Sequence, residues 1–236
     1  MSYFELMGFG PRGWGLLLLQ ATLMTIAVSS VAFLLGSVLG ALIAWARIGG
    51  NRALQFAAEA YTTVLRGIPD LLVIFLLYFG GSAAMTAVAH ALGAQGFVGV
   101  NAFASGAIAV GIISGAYQSE IFRGAFGAIA RGELEAARAV GMSRRLLFRR
   151  IVVPQTLRFA IPGLGNVWQL ALKESALISV VGLTEILRQA QVGAGSTRQP
   201  FAFFITAAAL YLVLSSISGW GFQKAEAFGM RGVRRA

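Results

Sequence analysis

The chain has 236 residues, 57% of them hydrophobic and 12% charged, with a mean hydropathy of +0.75. A soluble domain carries about 25% charged residues, so too few polar side chains are present to cover a water-facing surface. The formal charge of +10 would suit a nucleic-acid binder, but the arginines flank apolar runs instead of building a soluble basic face.

Cysteine is absent and His90 is the single histidine, which leaves no disulfide framework, no thiolate site and no histidine-built metal cluster. Near the N-terminus Gly8, Gly10, Gly13 and Gly15 form an irregular scatter. No strand or βαβ unit surrounds them, so they are not a cofactor fingerprint.

The first charge-free run extends from Gly15 to Ala46. Crossing the hydrocarbon takes roughly 20 largely apolar residues, which this run exceeds. It is too long for a signal-peptide core and is not followed by a small-residue processing site and a soluble domain, so it reads as a retained membrane helix. Further runs follow at Leu71 to Ala89, Val98 to Tyr117 and Phe201 to Phe222. A fifth, Phe159 to Thr184, is broken by Pro162 and by Lys173 and Glu174, and a discontinuity is expected near Pro162. Five crossings are therefore predicted. Gly36 and Gly40, Gly111 and Gly115, and the group Ser105, Gly106 and Ser114 read first as close helix packing, with lining of a substrate path as the alternative. His90, at the outer end of the second run, reads as an interfacial side chain.

Basic residues set the expected orientation. With the N-terminus outside, the inner segments carry Arg47, Arg52 and Arg66, then eight arginines from Arg123 to Arg158, then Lys224, Arg231, Arg234 and Arg235. The outer side retains Arg12, Arg188 and Arg198.

Between the third and fourth of these runs along the chain lies a polar excursion, EAARAVGMSRRLLFRRIVVP, from Glu135 to Pro154. Arg131 to Val140 can form a short helix with Glu133 and Glu135 in its early turns, and Gly141 is placed to stop it. Ser143 can cap a second helix containing Arg144 to Ile151, which Pro154 is expected to interrupt. The unit reads as a helix, turn and helix at the membrane surface, its arginines facing either lipid phosphate or an acidic partner groove. No GxxxxGK[ST] phosphate loop is present, so any ATP-derived energy must come from another chain.

Three ionisable residues interrupt or border apolar runs. Asp70 follows Arg66, Gly67 and Pro69, where it could cap the following helix; Lys173 and Glu174 could pair with each other or across a subunit interface. Intramembrane charges are costly unless paired or hydrated, so all three are also candidates for a substrate path or gate.

The excursion resembles the EAA loop of binding-protein-dependent ABC importer permeases, with Glu135, Ala136, Ala137, Gly141, Ile151 and Pro154 at the family positions. LRGIPDLLVIFLLYFG, GAYQSEIFRGAFGAIARGELEAA and PQTLRFAIPGLGNVWQLALKESALISVVGLTEIL resemble polar-amino-acid permeases, most closely the histidine and octopine or nopaline type. The likeness covers roughly Tyr61 to Ala190 and the last helix. It implies an all-α, five-helix type I ABC importer permease in the bacterial inner membrane, with 1–236 forming a single transmembrane domain and 135–154 serving as its coupling segment. The expected partners are a homologous second permease, two cytoplasmic ATPase subunits that bind the ATP and Mg, and a periplasmic solute-binding protein. This chain would hold no cofactor and bind no nucleic acid. Within the coupling segment, Glu135 and Arg138 would pair with partner side chains, and Gly141 would allow close backbone approach. Histidine-type relatives resemble this chain in having Asp after the RGxP proline, which points to histidine, arginine, lysine, octopine or nopaline as substrate. Neutral or acidic polar amino acids are the alternative, and a channel or scaffold protein is the competing class.

Overall fold

The computed structural model describes residues 3–11 and 13–230; Arg12, Arg231, Arg234 and Arg235 lie outside the described residues. No strand occurs among the described residues, and the architecture is a helical bundle. After a short α1 (Tyr3–Met7) comes α2 (Gly15–Gly49). At 1.5 Å per residue it is about 50 Å long, more than the roughly 30 Å of hydrocarbon, so it reaches beyond the apolar layer.

The most extensive helix pairing joins α2 to α6 (Ala102–Gly127). A Cβ added to Gly36 would lie 2.7 Å from Ser114 Oγ, one on Gly40 2.8 Å from Gln118 Cβ, and one on Gly111 3.0 Å from Leu35 Cβ. These small residues set the approach of the two backbones, as the packing reading expects. Gln118, fully buried between the helices, donates to Phe33 O (3.1 Å) and Ser114 Oγ (2.8 Å) and accepts from Ser37 Oγ (2.7 Å). Every polar atom of its amide is thereby satisfied between the two helices, while Val28, Ala32, Ala107 and Val110 form an apolar core farther along the same pairing.

The basic link after α2 is itself helical. Asn51 Oδ1 accepts from Leu54 N–H (2.9 Å) to start α3 (Arg52–Gly67), and Tyr61 Oη donates to Ile112 O (2.6 Å) to hold it against α6. The second apolar run forms α4 (Asp70–Phe75), a π turn at Leu76–Gly80 and α5 (Gly81–Ala91). The chain then folds back along α5: His90 Nε2 donates to Gly96 O (2.9 Å), while Thr86 Oγ1 and Ser82 Oγ accept from Val98 N–H and Val100 N–H, both at 3.0 Å. Because this stretch is tied back to α5 and is not helical, the third run becomes helical only at Ala102, where Asn101 Oδ1 caps α6. It then continues to Gly127, past the predicted end at Tyr117.

Two prolines behave differently from the sequence expectation. Pro154 does not interrupt its helix: α8 (Arg144–Leu147) passes through a π turn at Phe148–Val152 into α9 (Val153–Glu174). Proline removes one i→i−4 donor and its ring crowds the preceding turn; the wider π turn takes up both defects. Pro162 likewise lies inside an unbroken α9. Close contacts on both sides hold the helix there, since a Cβ on Gly163 would sit 2.9 Å from Ile121 and one on Gly165 3.2 Å from Phe222. The discontinuity falls later, at the 3₁₀ turn Ser175–Val181 and at Gly182, whose φ of 94° favours glycine.

Beyond it, Glu185 caps α10 (Ile186–Thr197), which packs on α11 (Pro200–Gly229) and on Leu6 of α1. Three helical columns, Gly15–Gly49, Asp70–Ala91 and Pro200–Gly229, are long and apolar enough to cross a membrane by length and composition alone. The other two predicted crossings, α6 and α9, carry more polar residues.

Candidate functional site

Two arrangements carry chemistry. The first is the polar excursion. α7 (Arg131–Ala139) ends in a Schellman turn: Gly141 N–H donates to Arg138 O (3.0 Å) and Met142 N–H to Ala137 O (3.1 Å), with Gly141 at φ 80°. Ser143 Oγ accepts from Leu146 N–H (3.4 Å) to start α8, as the sequence predicts. Ala137 turns inward with Ile129, Leu147 and Val152 to form a small core, against which Ile151 packs. Gln155 Nε2 donates to Glu133, tying α7 to α9. Glu135, Ala136, Arg138, Gly141 and Pro154 remain exposed, and neither Glu135 nor Arg138 has an ion pair among the described residues. The unit is a rigid, internally packed knob presenting unpaired charges.

The second arrangement joins residues far apart in sequence. Asp70, on the first turn of α4, faces Glu174 at the end of α9, and both carboxyls act on Tyr117 of α6. Glu174 is 4% exposed, and neither of its oxygens has a hydrogen-bond partner among the described residues. A buried carboxylate in that condition is costly. The first turn of α4 has no side-chain cap, so capping does not account for Asp70. Nor do Lys173 and Glu174 pair with each other: neighbouring residues on a helix point about 100° apart, and Lys173 is exposed while Glu174 is buried. The structure therefore brings together Asp70 and Glu174 and leaves Lys173 outside.

Below this pair lies a charge knot that the sequence reading did not identify. Glu120, beyond the end of the charge-free run, accepts from Arg47 of α2 and from Arg123 Nη2 (2.8 Å) and Nε (3.1 Å), while Arg66 Nη1 of α3 stands 3.8 Å away. Burial pushes the Glu120 carboxyl up, but the hydrogen bonds and charges of Arg47 and Arg123 outweigh this and hold it below the ordinary value of 4.5. Only the Glu120–Arg123 spacing of three residues signals this in the sequence. Arg66 also lies over the Tyr117 ring, 5.6 Å from its centroid.

Two cavities lie away from the carboxyl pair. One, of ≈ 450 Å³, is lined by Arg138, Met142, Arg144 and Leu147 on the knob. The other, of ≈ 610 Å³, is an apolar groove between α2, α6 and α9 whose walls include Leu42, Trp45, Phe122 and Phe126. No group of three metal-ligating side chains occurs among the described residues.

Comparison with known proteins gives three concordant results. A family model described as "Binding-protein-dependent transport system inner membrane component" matches residues 36–226. The chain is 60% identical over 235 residues to the octopine transport system permease protein OccQ of Rhizobium meliloti, covering 100% of this chain and 99% of the relative. It is 45% identical to the nopaline transport system permease protein NocQ of Agrobacterium fabrum, over 97% of this chain and 98% of the relative. It is 37% identical to the histidine/lysine/arginine/ornithine transport system permease protein HisQ of Escherichia coli, over 95% and 98%. Among solved structures, an amino acid ABC transporter crystallised with histidines superposes with a TM-score of 0.77 at 30% identity, covering 91% of this chain and 94% of the other.

Proposed function

The chain belongs to the family of binding-protein-dependent transport system inner membrane components, and from that premise we propose that it passes a cationic amino acid or opine through an ATP-driven importer. The observation that carries the substrate class is the buried Glu174 carboxyl of α9 facing Asp70 of α4. A pair of facing carboxyls, Asp70 at the start of α4 and the buried Glu174, favours a passing guanidinium or ammonium group. Binding need only be strong enough to admit the cation and weak enough to release it. The names of the octopine, nopaline and histidine/lysine/arginine/ornithine relatives fit this chemistry.

The knob from Glu135 to Pro154 docks on an ATPase subunit, and its role is mechanical. Its small core and Schellman turn let it move as one body with α6 and α9, so closure of the ATPase pair reorients the bundle and alternates access to the carboxyl site. Glu135 and Arg138 pair with the partner, and Gly141 permits close approach. ATP and Mg are held by that partner, since this sequence carries no phosphate loop. A homologous permease completes the pathway, and a periplasmic binding protein delivers the substrate. The arginine-rich knob faces the cytoplasm, with the N-terminus periplasmic and the C-terminus cytoplasmic. Reporter fusions after Arg52, His90, Arg145, Arg188 and Arg235 test this topology, and an external reading at Arg145 refutes it.

Uptake by the reconstituted complex tests the substrate reading. Arginine, histidine, octopine and nopaline should enter in preference to glutamine and glutamate, and Asp70→Asn or Glu174→Gln should reduce that uptake. A preference for glutamate overturns the cationic class. Unchanged discrimination in both variants removes the carboxyl pair from the explanation.

A further inference from the structure

We infer that Arg66 is a specificity residue that recognises a carboxylate, so that the translocation site selects molecules bearing a cation at one end and a carboxylate at the other. The inference rests on the cation site formed by Asp70 and Glu174. Arg66 ends α3 and Asp70 begins α4, separated by Gly67, by Ile68 in extended conformation and by Pro69. This short break sets a guanidinium over an aromatic ring whose hydroxyl also lies in the field of Asp70 and Glu174. Arg66 lies 5.6 Å from the Tyr117 centroid, and Asp70 and Glu174 act on Tyr117 together with Arg66.

Charge balance explains why Arg66 is available. Glu120 meets three guanidinium groups, but Arg47 and Arg123 make the hydrogen bonds. Arg66 remains 3.8 Å away, too far for one, with its side chain 47% exposed. One carboxylate cannot neutralise three cations, and the surplus positive charge falls on the most loosely held of them. The neighbouring pair has the opposite surplus: Asp70 and Glu174 face each other, and neither makes an ion pair with a basic side chain among the described residues. A ligand carrying both charges complements both halves, whereas a cation without a carboxylate engages only the acidic half. The planar fork of arginine suits a carboxylate, which it can grip through two parallel hydrogen bonds.

The test is equilibrium binding of radiolabelled arginine and of agmatine, which is arginine without its carboxyl group. The assembled permease and ATPase complex is used in nanodiscs without binding protein, so that the binding protein's own selectivity plays no part. Wild type should bind arginine about tenfold or more tightly than agmatine, the order expected for a charge-assisted bidentate contact. Arg66→Gln should weaken arginine alone and erase the preference; Arg66→Lys, which keeps the charge without the fork, should fall between. Glu174→Gln should weaken both ligands. Equal affinity of wild type for the two ligands overturns the inference, and needs no variant. An equal loss of both in Arg66→Gln also overturns it, since a structural or gating role predicts that pattern. If Asp70→Asn and Glu174→Gln leave both ligands unaffected, or if wild type binds neither, the cation site itself fails. If they weaken both while Arg66→Gln keeps the ratio, only the carboxylate assignment fails.

Discussion

Substitution of Gly141 tests the coupling segment with little disturbance elsewhere. Nothing lies within 4 Å of a Cβ built at this position, so steric exclusion within the chain contributes nothing. The cost comes from φ 80°, a left-handed conformation that disfavours L side chains by about 1–2 kcal/mol. Escape from it breaks the bonds Gly141 N–H to Arg138 O and Met142 N–H to Ala137 O, each contributing about 0.5–1.5 kcal/mol. In the first case the docked geometry is held at a cost and in the second α7 loses its fixed angle to α8, while the α2–α6 packing is untouched. Asn tolerates this conformation better than Ala, and a β-branched residue is worst. The expected order of damage is therefore Gly141→Asn, then Ala, then Val. If 1–2 kcal/mol of strain is released on leaving the docked geometry, ATPase association weakens about 5- to 30-fold. The assay is ATPase binding to nanodisc-embedded permease, paired with hydrolysis stimulated by liganded binding protein. Wild-type association and coupling in Gly141→Val would refute the reasoning, as would equal damage from Asn and Val.

Three further outcomes are expected. A Cβ on Gly106 would lie 2.4 Å from Ile178 Cγ2, so Gly106→Ala should destabilise the bundle by about 1–3 kcal/mol, and Ile178→Ala should recover part of the loss in a double-mutant cycle read by thermal unfolding. The Glu120 carboxyl is held below its ordinary value of 4.5, so its stabilisation is fully present above that pH and is lost as pH falls through the lower folded-state value; Glu120→Gln should remove this part of the acid limb in circular-dichroism melts and lower stability at neutral pH. Tyr211 Oη donates to Glu185 Oε2 (2.7 Å) in a site where Glu185 is fully buried, so Tyr211→Phe should cost about 1.5–3 kcal/mol in thermal unfolding, with little change if the hydroxyl does not hold that carboxylate.

Much of the molecule was legible because its signals are local. Apolar length marks α2, the α4–α5 column and α11, since the cost of exposing backbone polar groups in hydrocarbon permits few alternatives. The spacing of Ser143 from Gly141 marks the knob's turn and cap. Gly36, Gly40 and Gly111 announce close packing before any partner is known. The motifs around Glu135 and Asp70 also identified the family.

Other features required the tertiary structure. Pro154 and Pro162 read as breaks because their local cost is fixed, but a π turn absorbs the first and contacts with Ile121 and Phe222 hold the helix at the second. Lys173 and Glu174 read as a pair because they are adjacent; helical geometry points them apart, and the group facing Glu174 is Asp70 on another helix. The meeting of Arg47, Arg66, Glu120 and Arg123, and of Tyr117 with the two carboxyls, depends on how α2, α3, α4, α6 and α9 cross. Composition and spacing determine which segments become helices; which charges face one another follows from the packing of small residues that sets the angle and depth of those crossings.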